Sequence, residues 1–330
     1  MKAIRGIGLS LLSIPVFGYC LWALAAIWID GPSARPIAGA LCAGLALLYL
    51  ACLVRVRPYR RALLALAFLS AGVMVWWFTI PARNDRDWLP DVAQTARARF
   101  DPDGHHVTVS NIRDFSYRSE TDYDPHWITR TFDLDQLTHL DLFISFWGPT
   151  LYAHTIMSWE FADQPPLAIS IETRKEKGES YSALLGFFRQ YELYYVVAQE
   201  RDVIGVRDLF RGEQTFLYRL SAPRENARRL LVDYLTDADD LAVHPRWYNA
   251  LTQNCTTSIR NRVMHAGGHV PLSWKLLLNG RLDELMYERG SLATKLPLAE
   301  LRAKSEITAK AKAADSSPDF SALIRVGLPE

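Results

Sequence analysis

Three long uncharged apolar runs, Ile7 to Ile29, Ile37 to Val54 and Ala62 to Ile80, fill most of the first 81 residues. A helix rises about 1.5 Å per residue, so about 20 apolar residues cross a hydrocarbon core roughly 30 Å thick. The runs meet or approach that length. They predict three transmembrane helices, about 7–29, 37–54 and 62–80, in an anchor over residues 1–81. The first break carries one acid and one base, Asp30 and Arg35, whereas the second carries Arg55, Arg57, Arg60 and Arg61. Positive charge marks the cytoplasmic side. The N-terminus, with Lys2 and Arg5, then lies inside and everything after Pro81 outside, with Trp76, Trp77 and Phe78 as an aromatic belt at the exit. A cleavable signal peptide ending near Ala23-Leu24-Ala25 is the competing reading; its apolar stretch is too long, and two further spans follow.

The chain has 330 residues, enough for about two structural units at roughly 150 residues each. Its 37 basic and 36 acidic residues leave a net charge of +1, which gives no support to a nucleic-acid binder working through a broad basic field. Residues 82–300 read as a soluble α+β domain. Aromatic and β-branched runs predict strands at Leu140–Trp147, Tyr152–Phe161, Leu167–Glu172, Tyr191–Ala198 and Thr215–Leu220, in a largely antiparallel sheet. Ala227, Leu230, Leu231 and Tyr234 recur at helical spacing within a helix over Pro223–Asp237. A second helix spans Thr256–His265, closed by Gly267-Gly268, and Lys275–Arg289 holds a further turn or two. Residues 301–330 turn Ala-, Lys- and Ser-rich and predict a loosely structured tail.

Of four cysteines, Cys20, Cys42 and Cys52 fall inside the apolar spans, where a thiol is a small apolar side chain. Cys255 alone belongs to the exported domain. A lone thiol is often an inert buried one, but this one follows a polar loop and opens a helix. The positive end of the helix dipole favours the nucleophilic thiolate. Its free amides, with Gln253 or Asn254, can hold an oxyanion, although loop hydrogen bonding is the plainer role for either side chain. A thiolate catalyst also needs a base. Of eight histidines, His154 lies on a predicted strand, which holds an imidazole rigidly; a satisfied core histidine is the alternative. Glu172 or Asp141 can orient that ring, or either can make an ordinary ion pair. His265 and His269 stand four apart, but Gly267-Gly268 between them and the lack of a third ligand argue against a metal site. No metal or cofactor is called for.

The segments Asn111–Arg118, Ala153-His154-Thr155, Ser170–Arg174, Tyr195–Asp202, and Tyr248-Asn249 through Asn254-Cys255-Thr256-Thr257 follow one another between about Asp85 and Gly290. This run resembles the Lnb N-terminal periplasmic domain family. The resemblance implies a permuted papain-like (NlpC/P60-type) fold in which the histidine precedes the cysteine, as His154 precedes Cys255. It implies a Cys255 acyl-thioester with His154 as base and then acid, and it adds Arg174 and Tyr248, from the matching segments, to Gln253, Asn254 and Glu172 as orienting or substrate-contacting candidates. Together with the three spans and the charge of their breaks, it implies a multi-pass protein of the bacterial inner membrane, its N-terminus cytoplasmic and its C-terminal domain periplasmic.

Three functions are open. One is a membrane-anchored acyltransferase or lipase acting on phospholipid acyl chains and lipoproteins. Another is a thiol amidase or peptidase acting on cell-wall peptides. The last is a non-catalytic envelope module, which predicts Cys255 out of reach of any histidine. Glycosidase chemistry falls behind these, because no carboxylate pair is singled out by its setting.

Overall fold

The computed structural model describes residues 2–148, 150–265, 270, 273–315 and 317–329. Contacts divide the chain into two units, Met1–Arg83 with Ser182–Tyr191, and Asn84–Tyr181 with Glu192–Glu330.

The first unit holds α1 (Lys2–Asp30), α2 (Arg35–Arg55) and α3 (Tyr59–Phe78). They are long and apolar enough to cross a membrane over Leu11–Asp30, Arg35–Arg55 and Tyr59–Phe78. Proline sets the restarts: Pro36 lies in the first turn of α2 and Pro58 caps α3, positions where a missing N–H costs nothing. Small residues line the seam, with Ala23, Ala26, Ala38 and Ala62 fully buried, while Leu47, Leu64, Phe68 and Val75 point outward. That inversion suits a bundle solvated by lipid. Tyr49 and Ser70 hydroxyls meet at 2.7 Å inside it, and Ser70 also donates to the Leu66 carbonyl at 2.9 Å.

Residues Ser182–Tyr191 join this bundle although they lie between two strands of the sheet. Asp30, at the end of α1, accepts the Arg189 amide at 3.1 Å, the Gln190 side-chain amide at 2.9 Å and the Trp77 indole at 2.7 Å.

The second unit is built on an eight-stranded sheet of order β1-β2-β9-β8-β7-β6-β10, with β5 also pairing β2. The strands are β1 (Arg97–Phe100), β2 (His106–Arg113), β5 (Trp127–Asp133), β6 (Leu137–Phe146), β7 (His154–Phe161), β8 (Leu167–Arg174), β9 (Glu192–Gln199) and β10 (Gln214–Arg219). A separate ribbon pairs β3 (Ser116–Tyr117) with β4 (Tyr123–Asp124). Pairing is antiparallel except between β2 and β9. The bulge in β2 falls between Val109 and Ile112, where Asn111 takes a φ of 61° that asparagine tolerates better than most residues.

One face of the sheet presents Phe143, Ile156, Ala168, Val196 and Ala198. Covering them are Val203 and Ile204 of α4 (Glu200–Gly205), Ala311 of α10 (Thr308–Ala313), and Phe320 and Ile324 of α11 (Phe320–Arg325). α5 (Arg224–Val243) and α6 (Cys255–His265) pack on the sheet as well, and on α5 the predicted stripe Ala227, Leu230, Leu231 and Tyr234 is buried. Trp159 anchors α5, donating its indole N–H to the Ala227 carbonyl at 2.9 Å and stacking edge-on against Tyr234. Short helices α7 (Trp274–Leu277), α8 (Leu282–Glu288) and α9 (Leu298–Ser305) complete the unit.

The expected loose tail is a correction. Residues 301–330 contain most of α9, then α10 and α11, and Ile307, Ala311 and Ile324 are fully buried. Alanine-rich composition here serves close packing, because a methyl group fits where the helix must approach the sheet. His269 and Gly267-Gly268 lie outside the described residues.

Candidate functional site

β7 and β8 run antiparallel with Ile156 opposite Ser170, so two places along the same face His154 stands opposite Glu172. Side chains of one parity share a face, which is why His154, Ser170 and Glu172 meet. His154 Nε2 lies 2.6 Å from Ser170 Oγ and 3.1 Å from Glu172 Oε1, and Ser170 Oγ donates to that same oxygen at 2.7 Å. Arg207 closes the group from behind, 2.7 Å from Glu172 Oε1 and 3.0 Å from Glu213 Oε2.

Cys255 is the first residue of α6 and is buried, close enough to His154 for the charge of the imidazole to act on the thiol. Burial alone would push its thiol up, but the charge of His154 overrides burial. Hydrogen bonds from His154 and Thr155 add to this, and the pKa falls to about 6. Burial would likewise push His154 down; the Glu172 carboxylate outweighs it, with Cys255 assisting, and the imidazole rises to about 9. Glu172, partly exposed, is held well below the usual carboxylate range by His154 and Arg207. Near neutral pH the three groups therefore form a thiolate, an imidazolium and a carboxylate in series. Such a thiolate can attack an acyl carbonyl while the imidazolium delivers a proton to the leaving group.

Asn279 was not visible in the sequence as part of this arrangement. Its side chain accepts the Ala153 amide at 2.9 Å, donates to the Ala153 carbonyl at 2.6 Å and to Thr256 Oγ1 at 2.7 Å, and stands 4.0 Å from Cys255 Sγ. One amide thus rivets the residue before the imidazole to the residue after the thiol. The neighbouring Gly280 must be glycine: a Cβ there would come 2.0 Å from the Thr150 carbonyl oxygen.

The other sequence candidates divide. Glu172, rather than Asp141, meets the imidazole; Asp141 is fully buried and bonded instead to Arg219 and Arg325. Asn254 caps α6, its Oδ1 accepting the Thr257 amide at 2.8 Å and its Nδ2 donating to the Ala250 carbonyl at 2.7 Å. Its side chain thus serves the loop through Oδ1 and one N–H of Nδ2. Gln253 lies on the same loop, its amide bonded to the Asn249 carbonyl at 2.9 Å. Tyr248 is buried beside Cys255 and Tyr181, and burial pushes its hydroxyl up. Arg174 is a correction. It shares a face with Glu172 but is drawn to the Val92 and Ala93 carbonyls at 2.9 Å and to Asn84 Oδ1 at 2.8 Å, with its guanidinium 4.3 Å over Trp88. It latches the start of the domain and does not reach the thiol. A cavity of about 750 Å³, lined among others by Glu160, Pro165, Gln199, Asp319 and Arg325, includes no residue of the thiol group.

Residues 123–280 match the family model of the Lnb N-terminal periplasmic domain. The matched segment covers a little under half of the chain. The match is narrower than the run that suggested it, leaving out Asn111–Arg118 and everything after Gly280, yet it contains His154, Glu172, Cys255 and Asn279. No curated protein and no solved structure matches the chain. The protein thus joins a periplasmic-type domain to three helices with the length and apolarity of membrane spans.

Proposed function

We propose that this protein is a membrane-anchored cysteine acyltransferase that takes an acyl chain from a membrane phospholipid and passes it to a lipoprotein amine. The observation that carries the reading is the Cys255–His154–Glu172 series, with the thiol held down to about 6 and the imidazole held up to about 9. In the first step the Cys255 thiolate attacks the ester carbonyl, the ester C–O bond breaks, and the departing lysophospholipid oxygen takes the His154 proton. In the second, an amine attacks the thioester, the C–S bond breaks, and neutral His154 accepts the amine proton, restoring the ion pair. Each step begins with His154 in the protonation state the other leaves behind. The amides of the first turn of α6 supply oxyanion stabilisation.

A permuted papain-like core accounts for His154 preceding Cys255. The arginine-rich α2–α3 turn favours a cytoplasmic N-terminus and a periplasmic catalytic domain in a bacterial inner membrane. The same machinery with water as acceptor would be a lipase, and with a peptide bond as donor an amidase.

The test is to add the purified chain, with Cys255→Ala in parallel, to phospholipid vesicles carrying a diacylglyceryl-cysteine lipopeptide and follow all species by mass spectrometry. Lysophospholipid together with N-acylated peptide, dependent on Cys255, is the expected result. Lysophospholipid with free fatty acid would make the protein a lipase. No change with either protein would overturn the lipid reading.

A further inference from the structure

The chain leaves the sheet at Arg174 and rejoins it at Glu192, and Ser182–Tyr191 in between belongs to the helical bundle. Its attachment is specific. The Asp30 carboxylate takes the Arg189 amide and the Gln190 side chain, while the Arg189 guanidinium lies 4.2 Å over the Trp77 ring. Asp30 ends α1 and Trp77 is next to last in α3. With α2 returning between them, these two helix ends lie on one side of the bundle, joined by the 2.7 Å bond from Trp77 to Asp30.

Ahead of this clamp the segment turns through a short 3-10 stretch, Leu185–Phe187, leaving Leu184 67% and Phe187 38% exposed. At the helix ends that hold it, Trp28, Trp76 and Phe78 are exposed as well. Aromatic side chains at a span's end settle at the membrane–water boundary. Leucine and phenylalanine held beside them extend the apolar surface that α1 and α3 turn to lipid.

We propose that Ser182–Tyr191 is an interfacial lipid-contact element, with Leu184 and Phe187 inserted at the headgroup–acyl boundary of the outer leaflet. This rests on the reading of α1–α3 as membrane spans and is independent of what Cys255 acylates. The occupant is the bilayer itself, because these exposed apolar side chains belong to the same unit as the three apolar helices and directly precede the Arg189–Gln190 attachment at their aromatic ends.

The full chain would be reconstituted in phosphatidylcholine–phosphatidylglycerol vesicles containing a phospholipid with a diazirine near its glycerol end, then irradiated, digested and analysed by mass spectrometry. The expected result is lipid adducts on peptides covering 182–188 as well as on those of α1–α3. The double variant Leu184→Asn, Phe187→Asn should lower the loop adducts at least several-fold and leave the helix adducts unchanged. Adducts on the helices alone would overturn the lipid element while sparing the spans. Adducts on neither would overturn the membrane reading beneath it.

Discussion

Between about pH 6 and about pH 9, Cys255 and His154 carry opposite charges that a free thiol and a free imidazole would not carry together. Alkylation of Cys255 by iodoacetamide should therefore rise through about pH 6, where an ordinary thiol would wait until about 9. His154→Ala removes the charge that holds the thiol down. Burial then dominates, and the midpoint should move above 9, read from rate against pH. Glu172→Gln removes the leading upward influence on the imidazole, so any falling limb of activity near pH 9 should shift to lower pH. Asn279→Ala strands the Ala153 backbone and the Thr256 hydroxyl, each worth about 1–3 kcal/mol when buried without a partner. It should lower the thermal midpoint in detergent and slow alkylation as well. Arg174→Met, by contrast, should destabilise the fold and leave the alkylation midpoint in place, because its three acceptors all lie between Asn84 and Ala93. Cys255, His154 and Glu172 could be picked from sequence because a thiol opening a helix and a histidine on an aromatic strand are legible locally. Asn279 could not, since its meaning lies in touching two segments remote from it along the chain.

Elements were legible where burial imposes a period. The stretches expected at 140–147, 152–161, 167–172, 191–198 and 215–220 overlie β6 to β10, rich in buried apolar side chains. β1 and β5 went unseen because they are partly exposed and carry charged residues, and β2 because its apolar positions alternate with polar ones and a bulge breaks its register. The C-terminal helices were hidden for another reason: their contribution comes from a few buried positions in a charged, alanine-rich background. Phe320 is 2% exposed, so Phe320→Ala should cost about 3–5 kcal/mol, seen as a large fall in thermal midpoint. Arg325 bonds Asp141 at 2.9 Å and Glu200 at 2.6 Å, both fully buried carboxylates. Arg325→Met would leave Glu200 without this cation and Asp141 with Arg219 alone, and should cost a similar amount, about 3–5 kcal/mol.

For the molecule as a whole, the arginine-rich turn argues orientation. A reporter active only outside the cytoplasm should be active when fused after residue 83 and silent after residue 56. Neutralising Arg55, Arg57, Arg60 and Arg61 together should blur that contrast. The division of the core also has a temporal side. All strands of the sheet are complete once Arg219 has been made, but the face that α4 covers in part lacks the rest of its cover until residues 307–324 arrive, and the ion pair of Asp141 with Arg325 closes a loop of 184 residues. Contacts so distant along the chain form late and slowly. A chain made only as far as Arg219 therefore holds an unfinished sheet, with Phe143, Ile156 and Val196 only partly covered until the last helices arrive.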